Sequence, residues 1–190
     1  MDAITLLRMD HERVLEMLDR LEHAPTVADE PPENVLQARK KLVTEIVVAE
    51  SGHEAIEEQY FWPMVRAEVP DGEALAGHAV DQESAAKQLL DAMDKAGPHQ
   101  SDLDEMVRRL VDEGRKHIGY EQDEVWPRVR SAISEQRLEE VGEKMAQAKP
   151  KAPTRPHPET PSSAGVQKTM GKAAAAVDHI RDSVTGRGKD

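Results

Sequence analysis

Four histidines and two glutamates in this 190-residue chain have the types and spacing to hold metal ions. His53 with Glu57, and His117 with Glu121, each form an HxxxE step. The steps open two matching phrases, HEAIEEQYFWPMVR (53–66) and HIGYEQDEVWPRVR (117–130), that begin 64 residues apart. Residues i and i+4 of a helix share one face about one turn apart, so both side chains of a step reach into the same space. His11 and His78 precede the two HxxxE histidines by 42 and 39 residues. Each half then reads as a helical hairpin with a His on its first helix and HxxxE on its second. Two such halves about a pseudo-twofold axis bring four imidazoles and two carboxylates to one depth. That inventory can hold two ions, with two His each and both carboxylates bridging, and it leaves positions open for water, oxide or a small molecule. Mixed nitrogen and oxygen ligation without sulfur suits iron, manganese or zinc.

The alternative is a buried His–Glu network without metal. A single stripe His is usually a core residue bonded to backbone. Four of them with two carboxylates leave many polar groups to satisfy in one layer, which is hard without a cation or water.

These residues need helices to position them. Ile4, Leu7, His11, Val14, Leu18 and Leu21 step by three and four, which predicts a helix over 3–23 with one inward face. A loop with three prolines follows (24–34). The second stripe is Leu42, Ile46, Ala49, His53, Glu57, Tyr60 and Met64, and Pro63 should kink or end that helix. VPDG (69–72) is a turn. The third stripe is Leu75, His78, Gln82, Ala85, Leu89 and Ala92, and the fourth is Leu103, Met106, Leu110, Gly114, His117 and Glu121, interrupted by Pro127. The expected fold is all-α: an up-down-up-down antiparallel four-helix bundle over 1–148, closed by a short extra helix. Residues 149–164 hold five prolines and read as a disordered linker. Residues 165–190 form a tail in which Val166, Met170, Ala173, Val177, Ile180 and Val184 mark a short, weakly held helix. Glu54, Glu58, Gln122 and Glu124 flank the motifs and read as solvated. Trp62 and Trp126 are expected to cap an apolar layer below the site.

Composition narrows the function. The absence of Cys excludes disulfides, thiolate sites and Cys nucleophiles. The net charge is −12; residues 149–190 carry +4, leaving −16 on residues 1–148. An acidic body without a basic stripe argues against nucleic acid as a partner. No apolar run approaches the ~20 residues of a membrane span, and the N-terminus lacks the features of a secretory signal, so a cytoplasmic protein is expected. No Gly-rich phosphate loop, Ser nucleophile motif or dinucleotide fingerprint is present.

The order His11, His53–Glu57, His78, His117–Glu121 resembles the hemerythrin-like (HHE cation-binding) family over about residues 3–130. The resemblance implies a four-helix bundle around a non-haem di-iron centre, two iron ions joined by an oxo or hydroxo bridge. His11 and His53 would bind one iron and His78 and His117 the other, with Glu57 and Glu121 bridging. The chain departs from the oxygen-carrying members at Gln82, where they have a fifth His. It also departs at Glu121, where they bridge with an Asp one residue later. It looks closer to bacterial relatives linked to nitric oxide, peroxide, iron handling or oxygen sensing. Two readings follow. One is a redox protein acting on oxygen, hydrogen peroxide or nitric oxide, with catalase-like turnover as one form. The other is an iron- or oxygen-sensing module that signals through its tail to a protein partner. Tyr60 and Tyr120 read as core residues near the metal shell, and Glu54 matches a position that some iron-sensing relatives use as an extra ligand.

Overall fold

The computed structural model describes residues 1–159 and 171–187. The described residues are helical and contain no strand. The first helix, α1 (Ala3–Glu22), starts where Asp2 accepts the Thr5 N–H at 3.0 Å, an N-cap that satisfies one of the helix's free donors. It is followed by α2 (Glu33–Ile56), α3 (Trp62–Glu68), α4 (Gly72–Lys95), α5 (Asp102–Tyr120), α6 (Trp126–Ala132) and α7 (Glu135–Ala148). The last is α8 (Lys172–Thr185). α1 packs on α2, α5 and α7, and α4 packs on α2, α3 and α5. Gly142 of α7 permits one of these contacts: a Cβ there would lie 2.5 Å from the Met1 carbonyl oxygen.

Neither Pro63 nor Pro127 ends its helix. Each follows a π turn, Glu57–Phe61 or Glu121–Val125, and the α-helix resumes behind it. In each turn the Trp N–H (Trp62 or Trp126) bonds the carbonyl of the glutamate five residues earlier. A proline cannot donate to the preceding turn, and a wider turn absorbs the lost bond without a break. The repeated phrase therefore encodes a repeated backbone feature, with a site glutamate at its first position.

Apolar side chains form two clusters. One holds Ile4, Leu7, Ile56, Trp62, Ala79, Val125 and Trp126. The other holds Val14, Leu18, Val47, Leu90, Val111 and Ile118. Along every main helix the polar residues lie at the change from one cluster to the other. His11 falls between Leu7 and Val14, His53 between Val47 and Ile56, Glu83 between Ala79 and Leu90, and Glu121 between Ile118 and Val125. A polar layer sandwiched this way is shielded from solvent on both sides.

Residues 149–159, read above as part of a linker, lie against α8. Asp178 is fully buried and accepts from the Thr154 and Arg155 backbone N–H groups at 3.1 and 3.2 Å and from His157 Nε2 at 2.9 Å. Asp182 pairs with Arg155 at 2.7 Å. Val177, Ile180 and Val184 of the apolar stripe are instead 48%, 68% and 84% exposed, so α8 docks by its acidic face. The stretch 160–164, together with Val166 and Met170, lies outside the described residues. Breaking a buried pair costs about 3 kcal/mol or more. Asp178→Ala is therefore expected to raise the undocked fraction of α8 roughly a hundredfold. Faster tryptic cleavage at Arg181, with the body's helix content unchanged, is the readout.

Candidate metal centre

α1, α2 and α5 carry three of the predicted histidines into the polar layer. His11 and His53 are 2% and 3% exposed. His11 Nε2 lies 3.3 Å from Glu121 Oε2, His117 Nε2 lies 3.1 Å from Glu121 Oε1, and His53 Nε2 lies 3.2 Å from Glu57 Oε2. Glu57 and Glu121 have no solvent exposure. Two groups of ligand atoms result: His11, His53 and Glu121, and then Glu57, Glu83, His117 and Glu121. Glu121 belongs to both, with one oxygen toward each half.

The outer faces of the imidazoles are held. Asp10 Oδ2 lies 3.4 Å from His53 Nδ1, Gln82 Oε1 lies 3.0 Å from His117 Nδ1, and the Gln122 amide lies 3.2 Å from His11 Nδ1. Asp10 and Gln82 accept from Nδ1–H and so leave Nε2 of His53 and His117 free and aimed inward, as around metal-ligating histidines generally; the Gln122 amide donates to His11 Nδ1 and holds that ring in place. Trp126 stacks on His11 at 4.9 Å between ring centroids, and Trp62 Nε1 donates to Glu83 Oε1 at 2.7 Å. Both tryptophans belong to the apolar cluster beside the site and also touch the polar layer itself.

The inner atoms are the opposite case. His11 Nε2, His53 Nε2, His117 Nε2 and both oxygens of Glu57 and of Glu121 are buried and make no well-directed hydrogen bond; the three nitrogens only face carboxylate oxygens at 3.1–3.3 Å. An unsatisfied buried group costs about 1–3 kcal/mol. The His–Glu contacts offset only part of that cost for the seven atoms of this layer. Cations coordinated at the centre would satisfy all seven, so the residues fit the metal that their types suggest.

Without a cation, protons balance the excess carboxylate. Burial, reinforced by the Glu121 and Glu83 charges, pushes the Glu57 carboxyl well above the usual range. Burial also lifts Glu83, to about 7. Burial opposes a charged His117, but the facing Glu121 outweighs it and raises the imidazole to about 10. Burial would raise Glu121, yet His117 and His11 hold it well below the carboxylate range.

His78 is not brought to either group. It is exposed on α4, with its ring edge-on to Tyr120 at 4.5 Å and its Nε2 3.2 Å from the Gln82 amide. The buried face of α4 runs through Ala76, Ala79, Glu83, Leu90 and Met93, turned from the predicted stripe by one residue. Glu83 occupies the layer instead, and sequence reasoning missed it. Glu54 and Glu58, read as solvated, are each 2% exposed. Lys87 is their counter-ion, 2.5 Å from Glu58 and 3.8 Å from Glu54. Gln122, also read as solvated, supports His11, and Glu124 is exposed. Tyr120 donates to the Leu75 carbonyl at 3.1 Å, and Tyr60 packs on the apolar cluster.

Residues 2–129 match the Hemerythrin HHE cation binding domain, and the chain belongs to that family. Its fold is similar to the crystal structure of a hemerythrin HHE cation-binding domain-containing protein from Mycobacterium kansasii. The TM-score is 0.65 at 18% identity, covering 94% of this chain and 99% of that one. A protein named DNA nickase from Nostoc sp. is 22% identical over 151 residues, 80% of this chain; the chain spans 40% of that protein's length. No helix among the described residues is long and apolar enough to cross a membrane.

Proposed function

We propose that the chain is a non-haem di-iron protein that binds or reacts with oxygen, hydrogen peroxide or nitric oxide inside an up-down-up-down bundle of α1, α2, α4 and α5. The observation that carries this reading is the set of seven buried ligand atoms facing one another without a well-directed hydrogen bond, with each of the three imidazoles braced from outside. His11 and His53 would hold one ion and His117 with Glu83 and Glu57 the other, with Glu121 common to both groups. Bound iron supplies electron exchange with small oxidants. The protein's own part is to keep Nε2 of His53 and His117 unprotonated and aimed, through Asp10 and Gln82, while the Gln122 amide holds the His11 ring in place. The two apolar clusters flank the layer on either side, and Trp126 stacks on the His11 ring. DNA cleavage is not part of this reading, because residues 1–148 carry −16 and repel a phosphate backbone.

The test is anaerobic mixing of ferrous-loaded protein with each of the three oxidants, followed by absorbance. Iron-dependent spectral changes faster than those of free ferrous iron, and absent from zinc-loaded protein, are expected. Inertness toward all three would overturn the redox reading.

One contact favours a second reading, an iron or oxygen sensor that signals through its tail. Asp10 is shared between His53 and Lys149, at the start of the segment that leads to α8. A change at His53 reaches that segment through one carboxylate. In this reading Lys149→Met uncouples the tail from iron loading while leaving iron content unchanged.

A further inference from the structure

A cavity of about 160 Å³ opens between α2, α4 and α5 and ends against the second ligand group. Its size decides what it is for. A water molecule occupies about 30 Å³ of liquid, whereas an apolar cavity of ~150 Å³ accepts benzene. The space is several times larger than a diatomic gas or hydrogen peroxide requires.

Its walls are of two kinds. Ala86, Leu90, Leu110, Gly114 and Ile118 make an apolar body. The inner end is polar. Glu54 and Glu83 line it at 2% and 1% exposure, and the Oε2 atom of each is buried without a hydrogen bond, that of Glu54 having only the Lys87 ammonium at 3.8 Å. His117, also at this end, leads to the metal groups. Four acidic side chains, Glu50, Glu54, Glu83 and Glu113, line the cavity against one ammonium, Lys116, and Lys87 is paired to Glu54 behind the wall; the negative excess that remains disfavours an anion. A cation would have to shed its hydration shell to enter an apolar chamber. A neutral O–H meets neither obstacle and supplies the donor that the glutamate oxygens lack.

We propose that this cavity binds small neutral molecules with a compact apolar body and one hydroxyl or hydroperoxyl group. It rests on the di-iron reading only in joining this pocket to that centre: among small oxidants, an alkyl or aryl hydroperoxide has this shape, and hydrogen peroxide fills only a corner.

Binding can be measured apart from the metal chemistry. Benzyl alcohol, toluene, benzoate and benzylamine share one body and differ at the polar end. Each is titrated into the full-length protein, as purified and after chelation, by calorimetry or ligand-observed NMR. Benzyl alcohol is expected to bind saturably and at least tenfold more tightly than toluene or benzoate, and more tightly than benzylamine. Ala86→Phe fills the chamber and is expected to weaken benzyl alcohol at least tenfold, with metal content unchanged. Ala86→Leu provides a milder filling if the Phe variant folds poorly, and the four-ligand series on the native chain needs no variant. The proposal is overturned if benzyl alcohol does not saturate, if benzoate or benzylamine binds as tightly, or if filling the chamber changes its affinity less than twofold. Loss of metal from the native chain would sink the di-iron reading alone and leave this test standing.

Discussion

Glu121→Gln is expected to strip the centre of both metal ions while the helices stay folded. Glu121 is the one side chain common to both ligand groups, its oxygens 3.3 and 3.1 Å from His11 and His117. Glutamine keeps the shape but replaces one oxygen with an N–H donor and removes the charge. Loss of a supporting partner alone typically lowers metal affinity about 10–100-fold, and loss of a shared anionic ligand should exceed the upper end. Metal per chain and a competitive chelator titration are the measurements. The fold should hold, because the substitution adds no volume and takes a charge out of a fully buried site. A variant that still carries two ions would show that Glu121 bridges nothing.

The second large effect separates Glu83 from His78. Glu83→Gln is expected to leave about one ion per chain, because Glu83 sits with Glu57, His117 and Glu121. His78→Ala is expected to retain both, because His78 lies exposed on the flank of α4 and reaches His117 only through Gln82. The reverse pattern would mean that α4 turns by one residue, about 100°, when the metal enters.

That pair of variants also marks where the sequence could be read and where it could not. α1 combines a bulky apolar stripe with a polar back, and the apolar stripe of α2 runs on into its HxxxE step, so His11, His53 and Glu57 fall on the inward face. His117 and Glu121 followed from the matching step on α5. In α4 the signal fails. Its alanines lie on several faces (Ala74, Ala76, Ala79, Ala85, Ala86), so two stripes one residue apart are nearly equally apolar. The true face also carries Glu83 and Lys87, charges that periodicity assigns to solvent. They are buried because they have partners in space, Trp62 for Glu83 and Glu58 for Lys87, and a one-dimensional pattern does not contain those partners. Asp10 and Gln122 were missed for a related reason. Each is the chain neighbour of a site residue and so points off the stripe, yet it closes around the ring of a ligand on another helix. The π turns had a legible cause in Pro63 and Pro127, but the sequence suggested a kink or an end where the backbone widens and continues. α8 reverses the usual rule: its aspartates are satisfied by backbone N–H groups and by Arg155 and His157, so its polar face docks and its valines face out.

The central claim is that two iron ions share Glu121 in the layer between the apolar clusters. Anomalous diffraction at the iron edge, from crystals of the iron-loaded full-length chain, tests it most directly. Two peaks are expected, one against His11 and His53 and the other against His117 and Glu83, with Glu121 reaching both. A single peak, a peak at His78, or none in the layer would contradict the account.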